Sequence, residues 1–168
     1  NSSAQIVGAV TWCNGSTGRT GPVSAENSLV GPSAGSVVGY REVGPGVKVL
    51  ANGNYVVTSD GWDRGSTLNV GAVTWCPGNG GRVGVVSEAN SLVGATADDR
   101  VSREQFTLPG LGGVVPLANG HYVVASPRWD KGNVVDAGAV TWCHGDQETI
   151  GVVSATNSLT GTSDSDYV

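Results

Sequence analysis

The sequence predicts an all-β chain built from repeated four-stranded units, and three observations carry that prediction. Gly-Ala-Val-Thr-Trp-Cys starts at Gly8, again at Gly71 and again at Gly138. A long fixed period means one supersecondary unit used repeatedly. Gly accounts for 27 of 168 residues and charged side chains for only 14%; Val, Thr and Ser are abundant, and no stretch has helical periodicity. Asn-Gly stands between apolar runs at Asn52-Gly53 and Asn119-Gly120, the strongest short-range hairpin signal.

Further markers define the unit. Asn-Ser-Leu starts at Asn27, Asn90 and Asn157, Leu-Ala-Asn-Gly at Leu50 and Leu117, and Trp-Asp at Trp62 and Trp129. Successive copies stand 63 and then 67 positions apart. The second copy, residues 45–113, is complete and serves as the template. Its strand A, residues 47–50, is a short apolar run. The Ala-Asn-Gly-Asn that follows calls for a type I′ turn, with φ > 0 at both central residues. Strand B, residues 55–59, is rich in β-branched and aromatic side chains. Residues 60–69 form a loop holding Trp62 and Asp63. Strand C, residues 70–76, carries the six-residue motif, residues 77–82 make a Gly-rich turn, and strand D, residues 83–93, ends on Asn-Ser-Leu.

The third copy, residues 114–168, repeats the script, with strands at 114–117, 122–126, 137–143 and 150–159. The first copy, residues 1–44, is a half unit that supplies only C (7–13) and D (22–30). Ten strands result, and Tyr167-Val168 is expected to open a further strand A. The longer second step falls in the D–A connection, so residues 103–113 are expected to be an exposed loop.

Charge narrows the function. A net charge of −5 and a pI near 4.8 argue against nucleic acid, which demands clustered Lys and Arg. No run of 18 apolar residues suits a membrane span. The chain has no Met, so residue 1 is not an initiator and the chain reads as a processed product or a piece of something longer. The three cysteines, Cys13, Cys76 and Cys143, hold equivalent positions. They cannot all pair within one chain, and repeat-equivalent positions are generally too far apart for a disulfide. They read as small apolar residues following Trp at a strand end, and no Cys-x-x-Cys spacing suggests a metal.

Four short, tightly connected antiparallel strands per unit specify a propeller-type blade, and about two and a half blades are present. A β-trefoil is the alternative fold, although it needs three whole units. The order of apolar strand, Asn-Gly, Tyr-Val-Val-x-Ser, loop, Gly-Ala-Val-Thr-Trp, Gly-rich turn and Ser-Leu-x-Gly resembles the FG-GAP repeat of integrin α-subunit propellers. It is also similar to repeats in long arrays of bacterial adhesin-like surface proteins. That resemblance implies an extracellular or cell-surface module. Blades of that family often hold Ca²⁺ in the A–B loop. Here the loop is only Ala-Asn-Gly-Asn (51–54) or Ala-Asn-Gly-His (118–121), without a carboxylate, and Ca²⁺ wants six to eight oxygen ligands. No metal or cofactor is expected.

In an A–B–C–D meander the B–C and D–A loops share one face and the A–B and C–D turns the other. The first face collects the polar chemistry: Trp62, Asp63 and Arg64, then Arg128, Trp129, Asp130 and Lys131, with Arg100 and Arg103 from the D–A connection. An aromatic ring beside a carboxylate is a way to hold a sugar ring. The same residues also serve as hydrophobic plugs whose Asp neighbours cap loop N–H groups. His121 and His144 have no repeated setting and no Gly-x-Ser-x-Gly occurs, so catalysis is not expected. Two readings follow. The first is a non-enzymatic extracellular repeat module for adhesion or structural assembly, partnered by other copies of itself or by further repeats of a longer chain. The second is a lectin-like module that binds glycans through its Trp-Asp loops. Trp12, Trp75 and Trp142 are expected at equivalent positions, at least partly buried between sheets. The chain starts at C and finishes after D, so both ends call for more sheet.

Overall fold

A computed structural model describes residues 7–39, 46–104 and 112–168. Among them the chain is all-β, with no helix long and apolar enough to cross a membrane. The first repeat supplies β1 (Ala9–Val10) and β2 (Leu29–Val30). The second supplies β3 (Val47–Val49), β4 (Tyr55–Ser59), β5 (Ala72–Cys76), β6 (Gly84–Val85) and β7 (Leu92–Val93). The third supplies β8 (Gly113–Pro116), β9 (Tyr122–Ser126), β10 (Ala139–Cys143), β11 (Gly151–Val152) and β12 (Leu159–Thr160).

Strands A, B and C pair antiparallel as expected: β3 on β4, β4 on β5, and likewise β8 on β9 and β9 on β10. Strand D departs from the expected single strand. It breaks into two short pieces, and only the second returns to its own strand C, as β7 to β5 and β12 to β10. The first piece crosses to the preceding repeat. β6 lies parallel to β2, with Leu29 opposite Gly84, and β11 lies parallel to β7, with Leu92 opposite Gly151. The sheets are therefore ordered β1-β2-β6, β11-β7-β5-β4-β3 and β12-β10-β9-β8.

The break in strand D has a local cause. Asn90 Oδ1 accepts the Ser87 N–H and the Ser91 hydroxyl, while its Nδ2 donates to the Val85 carbonyl. Asn27 and Asn157 make the same three contacts. An Asx side chain that satisfies the nearby backbone competes with a ladder partner, so the chain turns there. The next residue of the marker then reaches strand C: Ser28–Thr11, Ser91–Thr74 and Ser158–Thr141 hydroxyls each meet at 2.7 Å.

Two other expectations change. The Asn-Gly hairpins are not type I′. Only Gly53 and Gly120 have positive φ, at 87° and 88°. The Gly53 N–H donates to Leu50 C=O and the Leu50 N–H to Asn54 C=O, a type I turn followed by a left-handed glycine. Tyr167-Val168 does not begin a strand: the Val168 N–H donates to Ala137 C=O, as the Val101 N–H does to Val70 C=O one repeat earlier. The expected exposed loop falls largely on residues 105–111, outside the described residues.

The packing follows from the pleat, in which successive side chains point to opposite faces. One face of the second sheet holds Tyr55, Val57, Ala72, Cys76 and Val93, which pack with Leu29 and Val38 of the first repeat. The other holds Val56, Val73 and Leu92, which pack with Tyr122, Val124, Ala139 and Cys143 of the third. Every residue of β4 is therefore buried, while β9 alternates. Both clusters lie between repeats rather than within one. Gly71 of the repeated motif has φ 79°, and a Cβ there would collide with the backbone at Arg100 and Val101. Gly8 and Gly138 repeat that geometry against Val38 and Val168, so at all three positions the motif requires glycine.

Candidate interaction surface

The residues expected to bind a ligand fold first into loop scaffolding. Trp62 and Trp129 are only 3% and 5% exposed, so neither ring offers a face to a sugar. Asp63 accepts the Asn69 N–H at 2.7 Å and Asp130 accepts the Asp136 N–H at 2.8 Å, which closes the B–C loop in each repeat. Arg64 reaches Glu88 at 3.8 Å, Arg100 reaches Asp98 at 3.3 Å, and Lys131 donates to the Gly161 carbonyl. Arg128 is exposed near Asp136. Arg100 and Arg103 line a small cavity with Asp60 and Asn69. The B–C and D–A loops do share one side, since Asn69 Nδ2 donates to Asp98 and the Arg100 N–H to Asn69 C=O.

One residue of that side joins repeats. Asp99 accepts from the Ala95 and Thr96 amides, the Thr96 hydroxyl and the Asp130 N–H of the next repeat. Burial pushes its carboxyl above the ordinary value, against these donors. Its counterpart Asp166 makes the matching bonds to the Thr162 and Ser163 amides, which hold its carboxyl below the ordinary value.

The opposite side holds contacts that sequence reasoning missed. The Trp12 indole N–H donates to the Gly78 carbonyl of the second repeat at 2.8 Å, and the Trp75 indole N–H donates to Gly145 of the third at 2.9 Å. Asn54 is bifunctional: its Oδ1 accepts the Gly78 N–H of its own repeat, and its Nδ2 donates across to the Gly145 carbonyl. Asn52 Nδ2 donates to the same carbonyl, and an Arg82–Glu148 ion pair spans the same junction. Comparing the Cys-x-Gly turns of the three copies would have exposed the carbonyl, because each holds a glycine two residues after the cysteine.

Trp142, expected to be at least partly buried between sheets as Trp75 is, is instead 49% exposed, because among the described residues no sheet covers its face. Around it stand His121 and His144, with ring centroids 4.9 Å and 4.6 Å away. His121, His144 and Asp146 bring nitrogen and oxygen atoms within 4.8 Å of one another, the one group among the described residues with metal-ligand character. His121 Nδ1, however, already accepts the Gly145 N–H at 3.1 Å. It does for the third repeat what Asn54 Oδ1 does for the second.

The surface is thus a sheet face and an edge, with the chemistry of a packing junction. No curated protein and no solved structure matches the chain. A family described as a repeat of unknown function, DUF5650, matches residues 1–40, 49–103 and 116–168. Those segments fall on the three copies of the unit and together span most of the sequence, so the chain belongs to the DUF5650 repeat family.

Proposed function

We propose that this chain is a non-enzymatic structural module, a stack of repeats whose task is to build and extend a continuous array. The observation that carries this reading is the place of the core: both buried clusters draw their side chains from two adjacent repeats. The repeated motifs support it. Gly71 permits close approach, Thr74 and Asn90 set strand D, and Trp75 bonds the next repeat, so the residues that recur are spent on architecture. Setting sheets face to face is also how propeller blades pack, and an extracellular location is what the sequence resemblance to adhesin-like arrays implies for such a module. With Trp62 and Trp129 inside the fold, no observation favours the glycan reading.

In a quasi-one-dimensional stack, stability resides largely in the interfaces between neighbours. Trp75→Ala is therefore expected to speed amide hydrogen exchange in β4–β5 and β8–β10 together, through one shared opening. Exchange that accelerates in one repeat while the other keeps its protection would overturn the reading.

A further inference from the structure

We infer that the open face of the third repeat docks onto the first repeat of a second copy of this chain, head to tail, in the register of the internal junctions. This rests on the structural reading above and adds a partner, a polarity and named contacts. The two internal junctions are one geometry used twice. In each, the first piece of strand D lies parallel to the Leu strand of the preceding repeat, and a Trp indole N–H reaches the glycine carbonyl of the next C–D turn.

The third repeat presents the donor half of this junction, unused among the described residues. Leu159, the counterpart of Leu29 and Leu92, is 75% exposed, and Trp142 stands on the same face. His121 completes the match. A neutral imidazole whose Nδ1 accepts the Gly145 N–H carries its proton on Nε2. That N–H is the equivalent of the Asn54 Nδ2 that donates across the internal junction.

The first repeat presents the acceptor half. Its C–D turn has the internal shape: the Gly18 N–H donates to Asn14 C=O as the Gly81 N–H does to Pro77 C=O, and both glycines have positive φ, 66° and 71°. Gly81 is pressed against Trp12, whereas among the described residues nothing lies within 4 Å of a Cβ built at Gly18, which leaves that position open there for Trp142 of another copy. Gly15 holds the place of Gly78 and Gly145 and supplies the carbonyl. Gly21-Pro22-Val23 holds the place of Gly84-Val85-Val86. In the internal junction the Gly84 N–H donates to Ser28 C=O and the Val86 N–H to Val30 C=O, so the middle residue lends no N–H to the pair. Proline is therefore tolerated at that middle position. Gly21 and Val23 keep the two donors needed for Ser158 and Thr160. Cys13 is exposed on this face, whereas Cys76 and Cys143 at its equivalents are buried.

Sedimentation of the full chain over rising concentration tests the docking. The expected result is reversible growth from monomer to dimer and longer species. Trp142→Ala, a change at an exposed side chain, should lower the association constant at least tenfold with an unchanged circular dichroism spectrum. Alkylating Cys13 with a bulky maleimide should do the same from the other end. Mixing the Trp142→Ala chain with Cys13-alkylated wild-type chain then restores one intact head and one intact tail, and should give dimers that grow no further. A wild-type chain that stays monomeric at millimolar concentration overturns the docking, as does a mixture that stays monomeric while the wild type associates. Neither result touches the shared opening of the repeats in hydrogen exchange, so the docking and the structural reading fail separately.

Discussion

Leu92 and Leu159 occupy the same position in successive repeats, each beside a strand C and each the last residue of an Asn-Ser-Leu marker. One is fully buried and the other is 75% exposed. Nothing within their own repeats accounts for the difference. Leu92 is covered because β11 of the next repeat lies along its strand and the third sheet packs over its face. Trp75 and Trp142 differ in the same way: one bonds the next repeat and the other stands beside His121 and His144. Burial in this chain is therefore a property of the junction rather than of the repeat, and the same side chain changes its energetic role with its position in the stack.

The largest expected effect tests that contrast directly. Leu92→Ala removes a side chain from a closed junction and should cost about 2–5 kcal/mol. Leu159→Ala should stay within about 0.5 kcal/mol. Urea unfolding of the two variants at low protein concentration decides it, and equal losses would mean that each repeat is stabilised from within.

The cysteines sharpen the comparison by a second route. Burial pushes the Cys76 thiol from its ordinary 9.0 up to about 12 and the Cys143 thiol from the same value up to about 11. In the unfolded chain both ionise near 9. The folded state holds their protons longer, so their contribution is fully present below about pH 9 and is lost as pH rises toward 11–12. Each thiol should approach a slope of about 1.4 kcal/mol per pH unit in that window. Urea midpoints measured from pH 8 to 10.5 should fall accordingly, and Cys76→Ala should flatten the decline. At pH 8 a disulfide reagent should find one fast thiol per folded chain, at Cys13. Three equally fast thiols would show that the junctions are open.

The sequence showed the repeat, the order of strands A, B and C, and the pairing of loops on one side, because hydrophobic alternation and turn residues are local signals. It did not show that strand D divides. The Asn-Ser-Leu marker reads as apolar strand with a polar interruption, and only the three-dimensional contacts of Asn90 show a turn. The Trp-Asp loops attracted a ligand reading because aromatic and acidic side chains in a loop look available. Trp62 is buried in a cluster that its own repeat shares with Leu29 and Val38 of the first, and no local pattern encodes that shared packing. His121 and His144 looked unrelated for the opposite reason: His121 replaces Asn54 by function, as an acceptor facing the C–D turn, and not by chemical similarity.

The smallest expected effect concerns Asp99 and Asp166, one pair of equivalent carboxylates in two settings. Both cap the turn that follows strand D by accepting two backbone amides. At Asp99 the next repeat closes over the site and burial outweighs the amides, so its carboxyl lies above 3.8. At Asp166 the amides of Thr162 and Ser163 prevail, so its carboxyl lies below 3.8. The signs follow from linkage. Asp166 contributes stability above its unfolded value, and that contribution is lost as pH falls through the folded one. Asp99 acts in the opposite sense: the folded state takes up its proton first, so acidification between its folded value and 3.8 stabilises the fold. Carboxyl chemical shifts followed by NMR from pH 6 to 2 should separate the two residues in that order. Coincident titrations, or an inverted order, would mean that the second junction does not exclude water from Asp99, and the contrast between a closed face and an open one would lose its electrostatic half.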